Sequence, residues 1–129
     1  MNQETTGIKL FYDTYALYAI ALGKESYRIY AKDHKIFTSL MNLYELYYTL
    51  LKEDRKDLAE EFFNRLQGNC IDIKGSTIKK ASELRMKEIK RKMSYIDCLG
   101  YSLAKENEMK FLTGDKEFEK FEDVMFVKA

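Results

Sequence analysis

The chain has 129 residues, of which 46% are hydrophobic and 33% charged, and its 22 basic and 21 acidic residues leave a net charge of +1. This balance is typical of one globular domain with a packed core, and it excludes a chain that is disordered by composition. Because the chain lacks both an apolar run long enough for a membrane helix and the N-terminal pattern of a signal peptide, we expect a cytosolic protein.

The first elements alternate short apolar runs with longer amphipathic ones. Residues 8–12 predict a strand, and Asp13, which follows it directly, can cap a helix over residues 14–22. A short helix over residues 26–31 and a second strand over residues 36–38 follow. Asp13 is therefore expected at the carboxyl end of the first strand.

The middle of the chain predicts two helices and a brief strand. Residues 41–52 form a strongly apolar helix candidate with Ser39 as its N-cap. Residues 56–67 repeat apolar side chains at the spacing of an amphipathic helix. Residues 70–73 then predict a third strand.

The last third begins with a long helix over residues 76–93. Five apolar side chains are expected on its buried face: Ile78, Ala81, Met86, Ile89 and Met93. Ser94 begins the next helix, and strands follow over residues 110–112 and 124–127. Strands separated by helices favour right-handed crossovers, so we predict an α/β fold with a mostly parallel sheet.

Four separated acids fall at junctions of these elements. Asp13 and Asp115 follow strands, where the reactive groups of a parallel sheet gather, and Asp97 lies in the first turn of a helix. Each also has a structural explanation: Asp13 as an N-cap, Asp97 as part of a capping box with Ser94, and Asp115 as a turn residue.

Glu45 is harder to explain by local structure alone. It stands in a helix that is apolar on nearly all sides, which predicts burial, and a buried carboxylate is costly unless it is paired or binds a metal. The alternative is a surface glutamate beside tyrosine hydroxyls.

Several carboxylates brought together repel each other and need a cation. Oxygen ligands favour Mg²⁺ or Mn²⁺, whereas the single histidine, His34, and the two separated cysteines, Cys70 and Cys98, do not form a zinc pattern. Such an ion activates water and stabilises charge on a phosphoryl group, so the acids indicate metal-dependent phosphodiester hydrolysis.

Basic residues cluster between the third strand and Asp97. The candidates for binding an RNA backbone are Lys79, Lys80, Arg85, Lys87, Lys90 and Arg91. The alternative is a solvated helix face. Tyrosines near the acids in sequence could stack bases, or pack in the core or a dimer contact.

Four segments of the chain, in order, resemble the motifs of PIN domains: residues 10–17, 37–46, 93–104 and 111–118. The resemblance implies that Asp13, Glu45 and Asp97 form the core metal set and that Asp115 is a fourth, more variable ligand. Thr14 and Thr113 match the small hydroxyl residues beside the acids and would support the ligands by hydrogen bonds.

The resemblance further implies one domain over residues 1–129, built as a three-layer α/β/α sandwich with a mostly parallel sheet of four to five strands. The length suits the VapC-like ribonucleases, the toxins of toxin–antitoxin pairs, and stand-alone prokaryotic members. A homodimer that cuts RNA and is inhibited by an antitoxin protein is expected by analogy. Two alternatives remain: a non-catalytic RNA-binding or assembly module and, ranked lower, a receiver-like domain phosphorylated on Asp13.

Overall fold

The centre of the fold is a parallel sheet. The computed structural model describes residues 7–129, so the N-terminal residues considered for a signal peptide lie outside the described part. The strands are β1 (Leu10–Tyr12), β2 (Lys110–Thr113) and β3 (Val124–Phe126), in the spatial order β1-β2-β3. Phe11 pairs with Phe111, and Leu112 pairs with Met125.

The sheet is narrower than the four to five strands expected. The segments predicted as strands over residues 36–38 and 70–73 make only isolated parallel bridges, Phe11 with Phe37 and Thr38 with Cys70. The ladder cannot lengthen at Thr38 because the next residue, Ser39, already caps a helix. The sheet therefore continues beyond β1 as two bridged segments rather than as regular strands.

Six α-helices lie within residues 7–129: α1 (Thr14–Ala21), α2 (Arg28–Lys32), α3 (Leu40–Lys52), α4 (Lys56–Leu66), α5 (Gly75–Lys87) and α6 (Tyr95–Glu106). Three short 3₁₀ turns accompany them: Glu25–Tyr27, Gln67–Asn69 and Lys116–Phe118. No helix in this part of the chain is long and apolar enough to cross a bilayer.

The long helix predicted over residues 76–93 is wrong in its length and in its buried face. Helix α5 ends at Lys87, and Ile78, Met86 and Ile89 are 51%, 70% and 66% exposed. Ala81 and Met93 are buried as predicted. Helix α5 packs mainly on α6, so only a narrow strip of its surface is covered.

Two hydrophobic clusters lie on opposite faces of the sheet, because neighbouring residues of a strand point to opposite sides. Leu10 and Tyr12 contribute to the cluster that contains α1, α3 and α4, whereas Phe11 contributes to the cluster beneath α6. A Cβ at Gly100 of α6 would lie 3.1 Å from Phe11 Cε1, so the glycine allows close packing on the strands. This arrangement confirms the predicted α/β fold with helices on both faces.

Candidate active site

Asp13 stands at the carboxyl end of β1 and is only 2% exposed. It is the N-cap of α1, since its Oδ1 accepts a hydrogen bond of 2.7 Å from the backbone N–H of Thr14. Its Oδ2 accepts a second bond of 2.7 Å from the hydroxyl of Thr113 at the end of β2. The carboxylate is therefore held by two elements at once.

Asp97 lies in the first turn of α6 and forms the capping box that its spacing from Ser94 predicts. Its Oδ2 accepts from the Ser94 N–H at 2.9 Å, and its own N–H donates to Ser94 Oγ at 3.0 Å. The capping bond uses one carboxylate oxygen, so the structural explanation does not exclude a ligand role for the other.

Asp115 follows β2 and begins the 3₁₀ turn Lys116–Phe118. Its Oδ1 accepts from the Glu117 N–H at 3.0 Å, and its own N–H donates to Thr113 Oγ1 at 3.1 Å. The Thr113 hydroxyl therefore connects Asp13 and Asp115. The intervening Gly114 is required by space, because a Cβ there would overlap the Tyr15 ring and the Val127 carbonyl oxygen.

Glu45 lies on α3, and its side chain is half-buried. The expectation that α3 is covered on nearly all sides is wrong, because Tyr44 and Tyr48 are 64% and 57% exposed while Leu43 and Leu46 are buried. Burial cost therefore does not single out Glu45. What distinguishes it is that it faces the same cleft as the three aspartates.

The four acids line one open cleft of about 340 Å³ between the end of the sheet and the helices. The complete lining is Asp13, Thr14, Tyr15, Tyr18, Glu45, Thr49, Ser94, Asp97 and Asp115. Neither lysine nor arginine occurs among these residues, so no basic side chain of the cleft wall neutralises the acids.

Burial, together with the charges of neighbouring acids, raises the pKa values of two of the four carboxyl groups. Burial, followed by the nearby charge of Asp97, raises the pKa of Asp13 to about 8, although the hydrogen bonds from Thr113 and Thr14 oppose the shift. Burial is also the largest cause that raises the pKa of Asp97 to about 6, and the charges of Asp115 and Glu45 add to it. A cluster of this kind is destabilised when it is fully ionised and gains from a cation.

The donor set fits a hard divalent metal, because it consists of carboxylate oxygens without nitrogen or sulfur ligands. Within residues 7–129, however, no three acidic, histidine or cysteine side chains lie close enough together to hold an ion as they stand. Binding would therefore require side chains of the cleft to move toward the ion.

Sequence reasoning did not identify Asn42, a buried polar residue in the first turn of α3. Its Nδ2 donates to Thr14 Oγ1 at 3.0 Å, and its Oδ1 accepts from Ser39 Oγ at 2.6 Å. Thr14 thus contacts Asn42 rather than an acid through its side chain. The spacing Ser39-x-x-Asn42 resembles a capping box and was the available signal.

The tyrosines and basic residues predicted to bind RNA lie partly at the cleft and partly away from it. Among the tyrosines, Tyr15 and Tyr18 line the cleft, whereas Tyr12 is buried in the core. Among the basic residues, Lys80 pairs with Glu106 at 3.2 Å and Arg91 pairs with Glu88 at 2.9 Å. The remaining basic candidates, Lys79, Arg85, Lys87 and Lys90, also lie outside the cleft lining.

The model of the PIN domain family matches residues 10–124. No curated protein sequence matches the chain. Several solved structures are similar in fold. One is the Sarcin-Ricin loop cleaving toxin VapC20 of Mycobacterium tuberculosis, with a TM-score of 0.76 and 18% identity over 94% of this chain and 100% of that chain. Another is a toxin–antitoxin complex from Klebsiella pneumoniae, with a TM-score of 0.74 and 17% identity over 91% of this chain and 96% of that chain. A third is VapBC2 from Rickettsia felis bound to a DNA fragment from its promoter, with a TM-score of 0.69 and 22% identity over 95% of this chain and 99% of that chain.

Proposed function

The chain belongs to the PIN domain family, and on that basis we propose that it is a metal-dependent endoribonuclease that hydrolyses RNA phosphodiester bonds in the acid-lined cleft. The family is one of nucleases. The observation that carries the proposal is the convergence of Asp13, Glu45, Asp97 and Asp115 on a cleft whose lining contains no lysine or arginine.

The four acids would hold Mg²⁺ or Mn²⁺. When bound, such an ion lowers the pKa of water and stabilises the charge that develops on a phosphoryl group. The protein's own contribution is to fix the ligands. Thr113 holds Asp13 and the backbone of Asp115 together, while the capping bonds use one oxygen of Asp97 and one of Asp115 and leave each a second oxygen for an ion.

We extend the proposal to RNA and to the toxin class by similarity. VapC20 is described as cleaving the Sarcin-Ricin loop, and other structures with this fold contain toxin–antitoxin pairs. At identities of 17–22%, these similarities show a common fold and do not extend to function. We therefore propose, rather than conclude, an RNA substrate, an antitoxin partner, a homodimer and a cytoplasmic location for this chain.

The experiment is cleavage of structured and unstructured RNA by purified protein with Mn²⁺, Mg²⁺ or EDTA. Wild type should cut only with metal. Asp97→Asn keeps a capping group but removes a ligand charge, so its cleavage should fall at least a hundredfold, on the scale of lost charge stabilisation at a reactive centre. Asp72→Asn, an exposed surface change, is the matched control and should cut like wild type. Equal cleavage by wild type and Asp97→Asn would contradict the proposal.

A second candidate is a non-catalytic RNA-binding module. It is favoured by the observation that, within residues 7–129, no three acidic, histidine or cysteine side chains lie near enough together to hold an ion as they stand. RNA binding without cleavage under every metal condition would support this candidate instead.

A further inference from the structure

An exposed aromatic ring with a cation over one face stands beside the cleft. Tyr95, the first residue of α6, is 76% exposed. The Arg85 guanidinium lies 4.0 Å from the centre of its ring, and Arg85 Nε donates to the Met93 carbonyl oxygen at 3.2 Å. Arg85 is therefore held at two points, and its terminal nitrogens can still donate.

The pair lies directly next to the proposed catalytic residues. Tyr95 follows Ser94, which lines the cleft and forms the capping box with Asp97. The first turn of α6 thus fixes the backbone of Tyr95 relative to that of Asp97, and the Arg85 guanidinium packs on one face of the Tyr95 ring. A group that binds Tyr95 would be positioned relative to Asp97.

Core packing does not explain the ring. Because Arg85 covers one face while most of the side chain is exposed, the opposite face is open to solvent. An open aromatic face next to a fixed guanidinium matches the two parts of a nucleotide, since the base has a flat surface for stacking and the phosphate accepts hydrogen bonds.

Charge adds a reason for a cation at this place. The lining of the cleft is acidic and contains no lysine or arginine, so it repels a phosphate backbone before any metal binds. Arg85 provides a positive charge at the rim, because its Nε contacts the carbonyl oxygen of Met93, the residue before the cleft-lining Ser94.

We propose that Tyr95 and Arg85 form a nucleotide-positioning subsite in which the Tyr95 ring stacks on an unpaired base and Arg85 donates to a neighbouring phosphate. The subsite rests on the proposed nuclease function and assigns a positioning role to two residues outside the acid cluster. It would favour unpaired bases, because a base within a duplex has no free face to offer. Tyr95 and Arg85 are positioning residues and do not take part in the bond-breaking step.

The first test measures stacking without catalysis. Single-stranded RNA carrying one 2-aminopurine is titrated with protein in EDTA, and quenching of its fluorescence reports stacking. Wild type and Tyr95→Phe should quench, whereas Tyr95→Leu should lose the quenching and bind about tenfold more weakly, as expected for one base–aromatic stack. Arg85→Gln should weaken binding and reduce its salt dependence while the quenching at saturation remains.

Two controls separate this role from a structural one. Tyr48 is a second exposed tyrosine with a cation near its ring, Lys52 Nζ at 5.4 Å, and Tyr48→Leu should quench like wild type. Thermal unfolding of Tyr95→Leu should match wild type, because an exposed ring adds little to stability. Unchanged quenching in Tyr95→Leu, or an equal loss in Tyr48→Leu, would overturn the subsite.

The second test uses cleavage with Mn²⁺ on single-stranded and duplex RNA. Tyr95→Leu should raise KM for the single strand about tenfold with little change in kcat. If wild type cuts RNA and Tyr95→Leu cuts it with the same KM, the subsite is wrong and the nuclease proposal stands. If no RNA is cut but quenching depends on Tyr95, the nuclease proposal is wrong, and Tyr95 and Arg85 form a site that binds an unpaired base without catalysis.

Discussion

Replacing Asp13 by asparagine should stabilise the metal-free protein, with a gain that depends on pH. The folded protein raises the pKa of Asp13 from 3.8 to about 8. Below pH 3.8 the Asp13 carboxyl is protonated in both the folded and the unfolded state, so it does not change the free energy of unfolding. Above it, the unfolded chain loses the proton while the folded protein keeps it, so the free energy of unfolding falls by about 1.4 kcal/mol per pH unit until the pKa of the folded state is reached.

The magnitude at pH 7 follows from this window. About three pH units lie between the unfolded pKa and pH 7, which corresponds to a penalty of about 4 kcal/mol. Asparagine removes the penalty but cannot accept hydrogen bonds from both Thr14 and Thr113, which costs about 1–2 kcal/mol. The expected net gain is about 2–3 kcal/mol.

The assay is urea unfolding followed by circular dichroism between pH 4 and pH 8 in EDTA. The difference between Asp13→Asn and wild type should grow with pH, whereas the exposed Asp72→Asn should follow wild type throughout. Mn²⁺ should then stabilise wild type more than Asp13→Asn, because a ligand that binds only the folded state adds to stability. A difference that does not change with pH, or a variant that is less stable at pH 8, would refute this account.

Three further changes test how the acids are held. Gly114→Ala should lower the free energy of unfolding by about 1–3 kcal/mol, because the new Cβ overlaps the Tyr15 ring; an unchanged melting temperature would show that the ring moves aside at no cost. Thr113→Val removes the donor to Asp13 and should weaken Mn²⁺ binding about tenfold by calorimetry, while Thr113→Ser keeps the hydroxyl and should bind like wild type. Ser94→Ala removes the N-cap of α6 and should cost about 1 kcal/mol in urea unfolding, with Ser94→Thr as the variant that retains the cap.

The sequence was informative where local chemistry decides the structure. The apolar run before Asp13 correctly predicted that this residue follows the first strand. The capping-box spacing between Ser94 and Asp97 predicted both the start of α6 and the hydrogen bonds that form there. Ser39 was likewise identified as the N-cap of α3. These features depend on a few neighbouring residues, so no distant contact could change them.

Sequence reasoning failed where partners far along the chain decide burial. Ile78, Met86 and Ile89 repeat at helical spacing, yet they are exposed because α5 contacts too little of the fold to cover them. The same limitation made Glu45 look more buried than it is. Asn42 was missed because its contact with Thr14 joins two helices, which spacing within one helix does not reveal.

The helix-capping role of the cleft acids affects how such a protein can change during evolution. Asp13 and Asp115 are the N-caps of α1 and of the 3₁₀ turn Lys116–Phe118, and Asp97 completes the capping box of α6 with Ser94, while all three line the cleft. A lineage that abandons hydrolysis is therefore still constrained at these positions by helix initiation. Asparagine, serine or threonine can also cap at positions 13 and 115, and glutamate or glutamine can also complete the capping box at position 97. Glu45 lies within a helix and has no such second duty, so its substitution would be the earlier and more varied sign that activity has been lost.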